Sequence, residues 1–198
     1  MTTLMATPLL TSCPVKSPFG SLTAVASDAG VRAILWPADD PARAGLTGST
    51  LRDGTSDVLD ETARQLADYF AGSRTAFDLP LDLRGTPFQV AAWQALDEIP
   101  YGETRTYAEQ AALLGRPAAV RAVGAANGRN PVSIVLPCHR VVGSGGELRG
   151  FAGGLEVKQA LLDLERGAQA SGWSRAPTGP DELRSARPVA LGGESAVP

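Results

Sequence analysis

Between Asp57 and Phe70, apolar side chains fall at Val58, Leu59, Ala63, Leu66, Tyr69 and Phe70, the spacing of a helix with one buried face. Gly72 supplies its stop. Upstream, residues 17–36 read as two short strands around a turn, punctuated by Gly20 and by Asp28-Ala29-Gly30. Residues 37–55, rich in Pro, Gly, Asp and Thr, read as loop. An extended segment from Ala76 to Leu83 leads to a junction near Gly85. The pattern then turns helical. Thr86-Pro87 opens a helix through FQVAAWQALDEI that ends before Pro100-Tyr101-Gly102. Thr104 or Thr106 caps the next, YAEQAALLG, which stops at Gly115, and Pro117 opens a third, AAVRAVGAANG, which stops at Gly128. Two short helices around a tight turn, with Arg121 on the second, outline a helix-turn-helix. VSIVLPCHRVVG reads as a β-rich apolar run broken by Pro137. The glycine-rich loop GSGGELRGFAGG follows, then an amphipathic helix, LEVKQALLDLERG. Beyond Gly167 periodicity is lost among Pro, Gly, Ser and Ala, the composition of a disordered tail.

Composition changes this picture in three ways. The chain has 198 residues, 43% of them hydrophobic, enough for one sizeable core or two small ones. No run approaches the roughly 18 apolar residues of a membrane span. The N-terminus lacks a basic segment ahead of an apolar one, so a cytoplasmic protein is expected. Two cysteines, Cys13 and Cys138, are too few for a disulfide framework. With the single histidine His139 they cannot assemble a four-ligand zinc site, so no metal and no cofactor is expected. Cys13 reads as an incidental thiol in a loop before a strand. The net charge of -3 argues against nucleic acid, but its distribution does not. Residues 28–82 carry ten acidic side chains against five arginines, and residues 101–150 carry six arginines against three glutamates.

The candidate chemistry lies at Cys138, between Pro137 and His139-Arg140. A thiol attacks as its thiolate, which a nearby imidazole or positive field favours. On an extended segment, adjacent side chains point to opposite sides. His139 would then reach the sulfur through a bridging water, unless the backbone turns sharply there. Glu165 could hold the other imidazole nitrogen and stabilise its charged form. The bland alternative is an inert buried cysteine.

Asn130-Pro131 upstream and G-F-A-G-G-L downstream extend the pentapeptide PCHRV into a long pattern, NPVSIVLPCHRVVGSGGELRGFAGGLEVKQALL, over residues 130–162. This closely resembles the active-site region of the O6-alkylguanine-DNA alkyltransferases, the methylated-DNA–protein-cysteine methyltransferases. The resemblance covers residues 86–167 well and residues 17–83 only in their strand-helix layout.

The resemblance implies a two-domain α+β protein. A small RNase H-like strand-and-helix domain (1–84), mainly structural, would precede a helical domain with a winged helix-turn-helix (85–167), and a disordered tail (168–198) would follow. Cys138 would accept an alkyl group from O6-alkylguanine, or from O4-alkylthymine, in a displacement that happens once per molecule. His139 would act through water as general base, oriented by Glu165, and Asn130 would hold the turn. Tyr107 would contact the guanine edge, Phe151 and Ala152 would lie in the pocket lid, and backbone atoms of Val141 and Cys138 would read the exocyclic amine. Where some members carry serine, Ala152 leaves the O6 contact to backbone N–H groups. The partner would be double-stranded DNA, entered through the minor groove. Arg121 would fill the stack left by the flipped nucleotide, and small residues including Ala119 and Gly124 would allow close approach. A monomer is expected, with cooperative binding on DNA left open. The rival readings are a non-catalytic alkylated-DNA-binding relative that recruits other repair factors, a cysteine hydrolase, and a plain helix-turn-helix regulator. Cys138 itself speaks against the first, its adjacency to the lone histidine against the second, and PCHRV against the third.

Overall fold

In the computed structural model, which describes residues 9–167, the N-terminal third forms a four-stranded sheet. Its strands are β1 (Leu9–Ser17), β2 (Gly20–Ser27), β3 (Gly30–Leu35) and β4 (Thr50–Asp53), in the spatial order β3-β2-β1-β4. β2 pairs antiparallel with β1 and with β3, and β4 joins β1 in parallel. The expectation of two strands is thereby corrected: β1 precedes them, and residues 37–55 are not all loop. They hold a 3-10 turn at Pro41–Ala44, capped by the Asp40 side chain, and then β4. Cys13 lies within β1, not in a loop ahead of it. The tail expected over 168–198 lies outside the described residues.

Helix α1 (Asp57–Phe70) forms where the periodicity predicts it and lays Leu59, Leu66 and Tyr69 on the sheet. β3 is an edge strand, yet every residue in it is buried, because two other segments cover its free side. Residues 80–82 do so through Val31 N–H to the Pro80 carbonyl (2.8 Å) and Asp82 N–H to the Val31 carbonyl (2.9 Å). The second cover comes from the C-terminal half: Ile34 N–H donates to the Pro131 carbonyl at 2.8 Å, and Ile34 bridges to Val132. The sheet edge therefore holds the segment that leads to Cys138.

In the C-terminal half, Thr86 and Gln89 close a reciprocal capping box at the start of α2 (Pro87–Gln94), with Pro at its first position. This helix stops five residues earlier than expected, and single turns carry the chain through Ile99. Thr106 is the cap of α3 (Tyr107–Leu113), again as a capping box, with Glu109. A 3-10 turn at Pro117–Ala119 leads into α4 (Val120–Gly128). Gln110 and Asn127 exchange side-chain hydrogen bonds of 2.7 and 3.3 Å between α3 and α4, and Gln110 also reaches the Ala92 carbonyl of α2. A buried, fully partnered polar pair fixes the crossing of the helix-turn-helix more strictly than apolar contact would. Two-residue strands β5 (Arg105–Thr106) and β6 (Val141–Val142) pair in parallel beside it, and α5 (Leu155–Glu165) closes the domain. One apolar cluster joins both halves, from Leu22, Ile34 and Leu66 to Trp93, Ile134 and Leu161.

Candidate active site

The run expected as a β-strand is a buried turn instead. Asn130 makes it: its Oδ1 accepts from Val132 N–H (3.1 Å) and its Nδ2 donates to the Leu136 carbonyl (2.7 Å). Ile134 within the turn has φ +77°, a left-handed conformation that is costly for a β-branched residue. Cys138, His139 and Arg140 then form a 3-10 turn before β6. All side chains from Asn130 to Val142 are buried. The apolar run misleads because complete burial in a turn and in a strand look alike in sequence. With Cys138 in a turn, the alternation that would send His139 to the opposite side no longer applies.

His139 is fully buried, and its Nε2 lies 2.7 Å from Glu165 Oε1. The same carboxylate takes the Tyr69 hydroxyl (2.7 Å), Arg140 Nε (2.8 Å) and Nη2 (3.0 Å), and Gly102 N–H (3.1 Å). Burial would raise the Glu165 carboxyl, but His139 and Arg140 outweigh it and hold it at about 2. An ionised carboxylate only accepts, so Nε2 carries the imidazole proton and Nδ1 presents a lone pair. That Nδ1 is buried and has no hydrogen-bond partner among the described residues. Burial pushes the His139 pKa down despite the opposing pull of Glu165, with Arg140 and Lys158 pushing the same way as burial. Glu165 thus favours the charged imidazole, but burial, with Arg140 and Lys158 beside it, outweighs that pull and leaves the ring neutral at rest. A neutral imidazole with a free lone pair is poised to receive a proton.

Burial also pushes the Cys138 thiol up, while Asn130, Lys158, Arg43 and Ser133 pull it back toward the thiolate. Lys158 is the nearest thing to a counter-ion. Its ammonium is buried and held by the carbonyls of Val141 (2.6 Å) and Arg149 (2.8 Å), with no carboxylate among its hydrogen-bond partners. Desolvation lowers its pKa to about 8, and the charge of Cys138 opposes that shift. Arg43 comes from the N-terminal half: Asp39 grips it through three hydrogen bonds, and its Nη1 donates to the Asn130 carbonyl at 2.6 Å.

The loop over the site is braced from the sheet side. Phe151 meets Trp36 edge-on at 5.3 Å and the His139 ring at 6.3 Å. Gly153 lies so close to Trp36 that a Cβ there would sit 2.8 Å from the indole. The Tyr107 hydroxyl donates to the Arg149 carbonyl at 3.3 Å, and Lys158 lies 5.9 Å over the Tyr107 ring.

The chain matches the ribonuclease-like domain of 6-O-methylguanine DNA methyltransferase over residues 13–83 and the DNA-binding domain of that methyltransferase over residues 87–167. It belongs to that family. A methylated-DNA–protein-cysteine methyltransferase of Mycolicibacterium paratuberculosis is 49% identical over 155 residues, covering 77% of this chain and 90% of that protein. One from Methanosarcina barkeri is 59% identical over 105 residues, covering 53% of this chain and 66% of that protein. Among solved structures, Mycobacterium tuberculosis OGT in complex with DNA superposes with a TM-score of 0.70 at 42% identity, covering 81% of this chain and 94% of that one.

Within this methyltransferase fold, the predicted site residues fall into two groups. Cys138, His139, Glu165, Asn130 and Val141 share one buried cluster, with Tyr107, Phe151 and Ala152 half-buried at its margin. Arg121, Ala119 and Gly124 stand apart around α4, with Arg121 exposed. A Cβ at Gly124 would meet Tyr107 only at ordinary van der Waals distance, so packing does not demand glycine there. Val141 differs from expectation in one respect: its carbonyl already accepts from Lys158, leaving one lone pair free. Tyr69, Arg140, Arg43 and Lys158 escaped the sequence reading. Lys158 had a signal, as the one cation on the α5 face that buries Leu161, Leu162 and Glu165.

Proposed function

We propose that this protein is a methylated-DNA–protein-cysteine S-methyltransferase that repairs DNA by taking the alkyl group from O6-alkylguanine onto Cys138. The observation that carries the reading is the buried Cys138 in one turn with a neutral His139, itself bonded to an ionised Glu165. The damaged nucleotide is swung out of the duplex from the minor-groove side, with Arg121 filling its place in the stack and small residues such as Ala119 and Gly124 letting α4 approach. Tyr107, Phe151, Ala152 and the backbone of Val141 line the base pocket. The thiol proton passes through a water to His139 Nδ1, and Glu165 steadies the imidazolium that forms. The thiolate attacks the alkyl carbon in line. An S–C bond forms as the C–O6 bond breaks, and the bonding pair leaves with guanine, which takes up a proton. The same displacement serves O4-alkylthymine. A thioether is a poor leaving group, so each molecule reacts once, as a monomer.

Exposed arginines at 116, 121, 129 and 149 support DNA as the partner, since phosphate contacts need accessible cations. Intact-mass spectrometry after mixing with an oligonucleotide containing O6-methylguanine tests the reading. One added methyl per molecule, on Cys138 and absent in Cys138→Ala, is expected. Tight lesion binding without a mass change would leave a damage-recognition protein instead.

A further inference from the structure

Ser133 is the one polar side chain in the acceptor turn for which the chemistry above has no use. It is 1% exposed, and its Oγ is buried without a hydrogen-bond partner among the described residues. Natural interiors rarely leave a hydroxyl in that condition. Nor is its position an accident of a loose loop. Ser133 bridges to Leu136, Leu136 N–H donates to the Val132 carbonyl, and Asn130 clamps both ends of the same turn. The next residue, Ile134, is held at φ +77°. The fold thus keeps a strained backbone at the point that sets where the Ser133 side chain goes, and strain of this kind collects at functional sites. Ser133 pairs with Leu136, whose carbonyl accepts from Cys138 N–H at 2.9 Å, so the turn sets Ser133 beside the Cys138 thiol, where its hydroxyl favours the charged form.

We propose that the Ser133 hydroxyl donates a hydrogen bond to the Cys138 sulfur when the thiolate forms, which makes Ser133 a further catalytic residue of the acceptor site. A neutral thiol is a weak acceptor and leaves the hydroxyl idle, whereas a thiolate buried away from water needs donors. Asn130 Nδ2 and Lys158 act on the sulfur as well, but each divides its donors with the carbonyls of Leu136, or of Val141 and Arg149, whereas the Ser133 hydroxyl serves no other group among the described residues. The serine proton stays on its own oxygen throughout. Once the sulfur becomes a thioether, the hydroxyl loses its acceptor again. The other charged or titratable groups that act on the sulfur are Lys158, Arg43 and Tyr107, with His139 next in the chain, and none has a hydrogen bond to the Ser133 side chain.

The inference rests on Cys138 as the acceptor, and its test is kept independent of DNA. Thiolate absorbance near 240 nm, taken as the difference from Cys138→Ala, is followed against pH in the free protein, together with the rate of Cys138 modification by iodoacetamide. Ser133→Ala should move both midpoints upward and slow modification at neutral pH roughly tenfold, the equivalent of one pH unit. Ser133→Thr, which keeps the hydroxyl, should retain the original midpoint. The near-isosteric pair Ser133→Thr and Ser133→Val gives the same contrast at constant volume if the alanine variant folds poorly. A midpoint unmoved in Ser133→Ala or Ser133→Val, or equal shifts in Thr and Val, would overturn the assignment. Loss of methyl transfer with an unchanged thiol midpoint would count against Ser133 without touching Cys138.

Discussion

The acceptor turn and the outer face of α4 are stretches of similar length that make opposite use of their side chains. From Asn130 to Val142 every side chain is buried, and Asn130, His139 and Arg140 are tied down by hydrogen bonds, Arg140 reaching the Ile99 carbonyl across 41 residues. Across α4, Arg121, Ala122, Ala125 and Gly128 are exposed, and the helix is held only from its inner side through Val123, Ala126 and Asn127. Where chemistry depends on a thiolate and a neutral imidazole, the fold must exclude water and pay with partnered charges. On the outer face of α4, proposed above to meet DNA, it leaves small residues and the exposed Arg121. Stability and reactivity should therefore be inseparable in the first region and separable in the second.

The sharpest test is Cys138→Ala, which should abolish transfer and, because the sulfur is packed in the apolar core, also lower stability in urea unfolding by about 1 kcal/mol. Next in size, Glu165→Ala leaves Arg140, His139 and Tyr69 without their shared acceptor. A loss of about 3–5 kcal/mol in urea unfolding, together with loss of transfer, is expected. Acid should act on the same cluster. His139 is held below its ordinary value, so the unfolded chain takes up a proton the native state resists, and stability falls as pH drops below about 6.5. Glu165, held at about 2, adds a second loss as pH falls below about 4.3, and Glu165→Gln should remove that second phase from an acid titration.

Arg121→Ala should show the opposite partition. Transfer to duplex DNA should slow roughly 30-fold, about 2 kcal/mol, while urea stability stays within about 0.5 kcal/mol. If stability fell as far as for Glu165→Ala, the contrast between the two regions would be lost. The mildest change is Tyr69→Phe, which removes one of five donors to Glu165 and should cost about 1 kcal/mol with transfer largely retained.

Sequence made some of this legible and hid the rest for identifiable reasons. Periodicity found α1, and Pro87, Thr106 and Gly115 marked the helix-turn-helix, because caps and stops are local chemistry. β1 was invisible: Pro14 interrupts it and its polar residues do not alternate cleanly. The fold tolerates Pro14 because β4 pairs with β1 only from Leu9 to Ser12, so the missing N–H has no strand to serve. β4 is exposed along its whole length and carries no apolar pattern at all. At the site, PCHRV and Glu165 could be read from the chain, whereas Tyr69 and Arg43 reach it across 96 and 87 residues. Nothing local to those side chains announces where docking will bring them, and this is also why the N-terminal half looked merely structural.

The sharing of Glu165 among Tyr69, Gly102, His139 and Arg140 has a consequence for how the protein is made. These donors lie earlier in the chain than their acceptor, which sits in the last turn of α5. During synthesis Cys138 leaves the ribosome before Glu165 does, so for an interval the thiol exists without the carboxylate that orders its histidine. The reactive centre is completed only when the final helix docks, after both halves are in place. A nascent or misfolded chain thus carries Cys138 without the carboxylate that holds His139, so the reactivity proposed for this thiol belongs to the molecule that has finished folding.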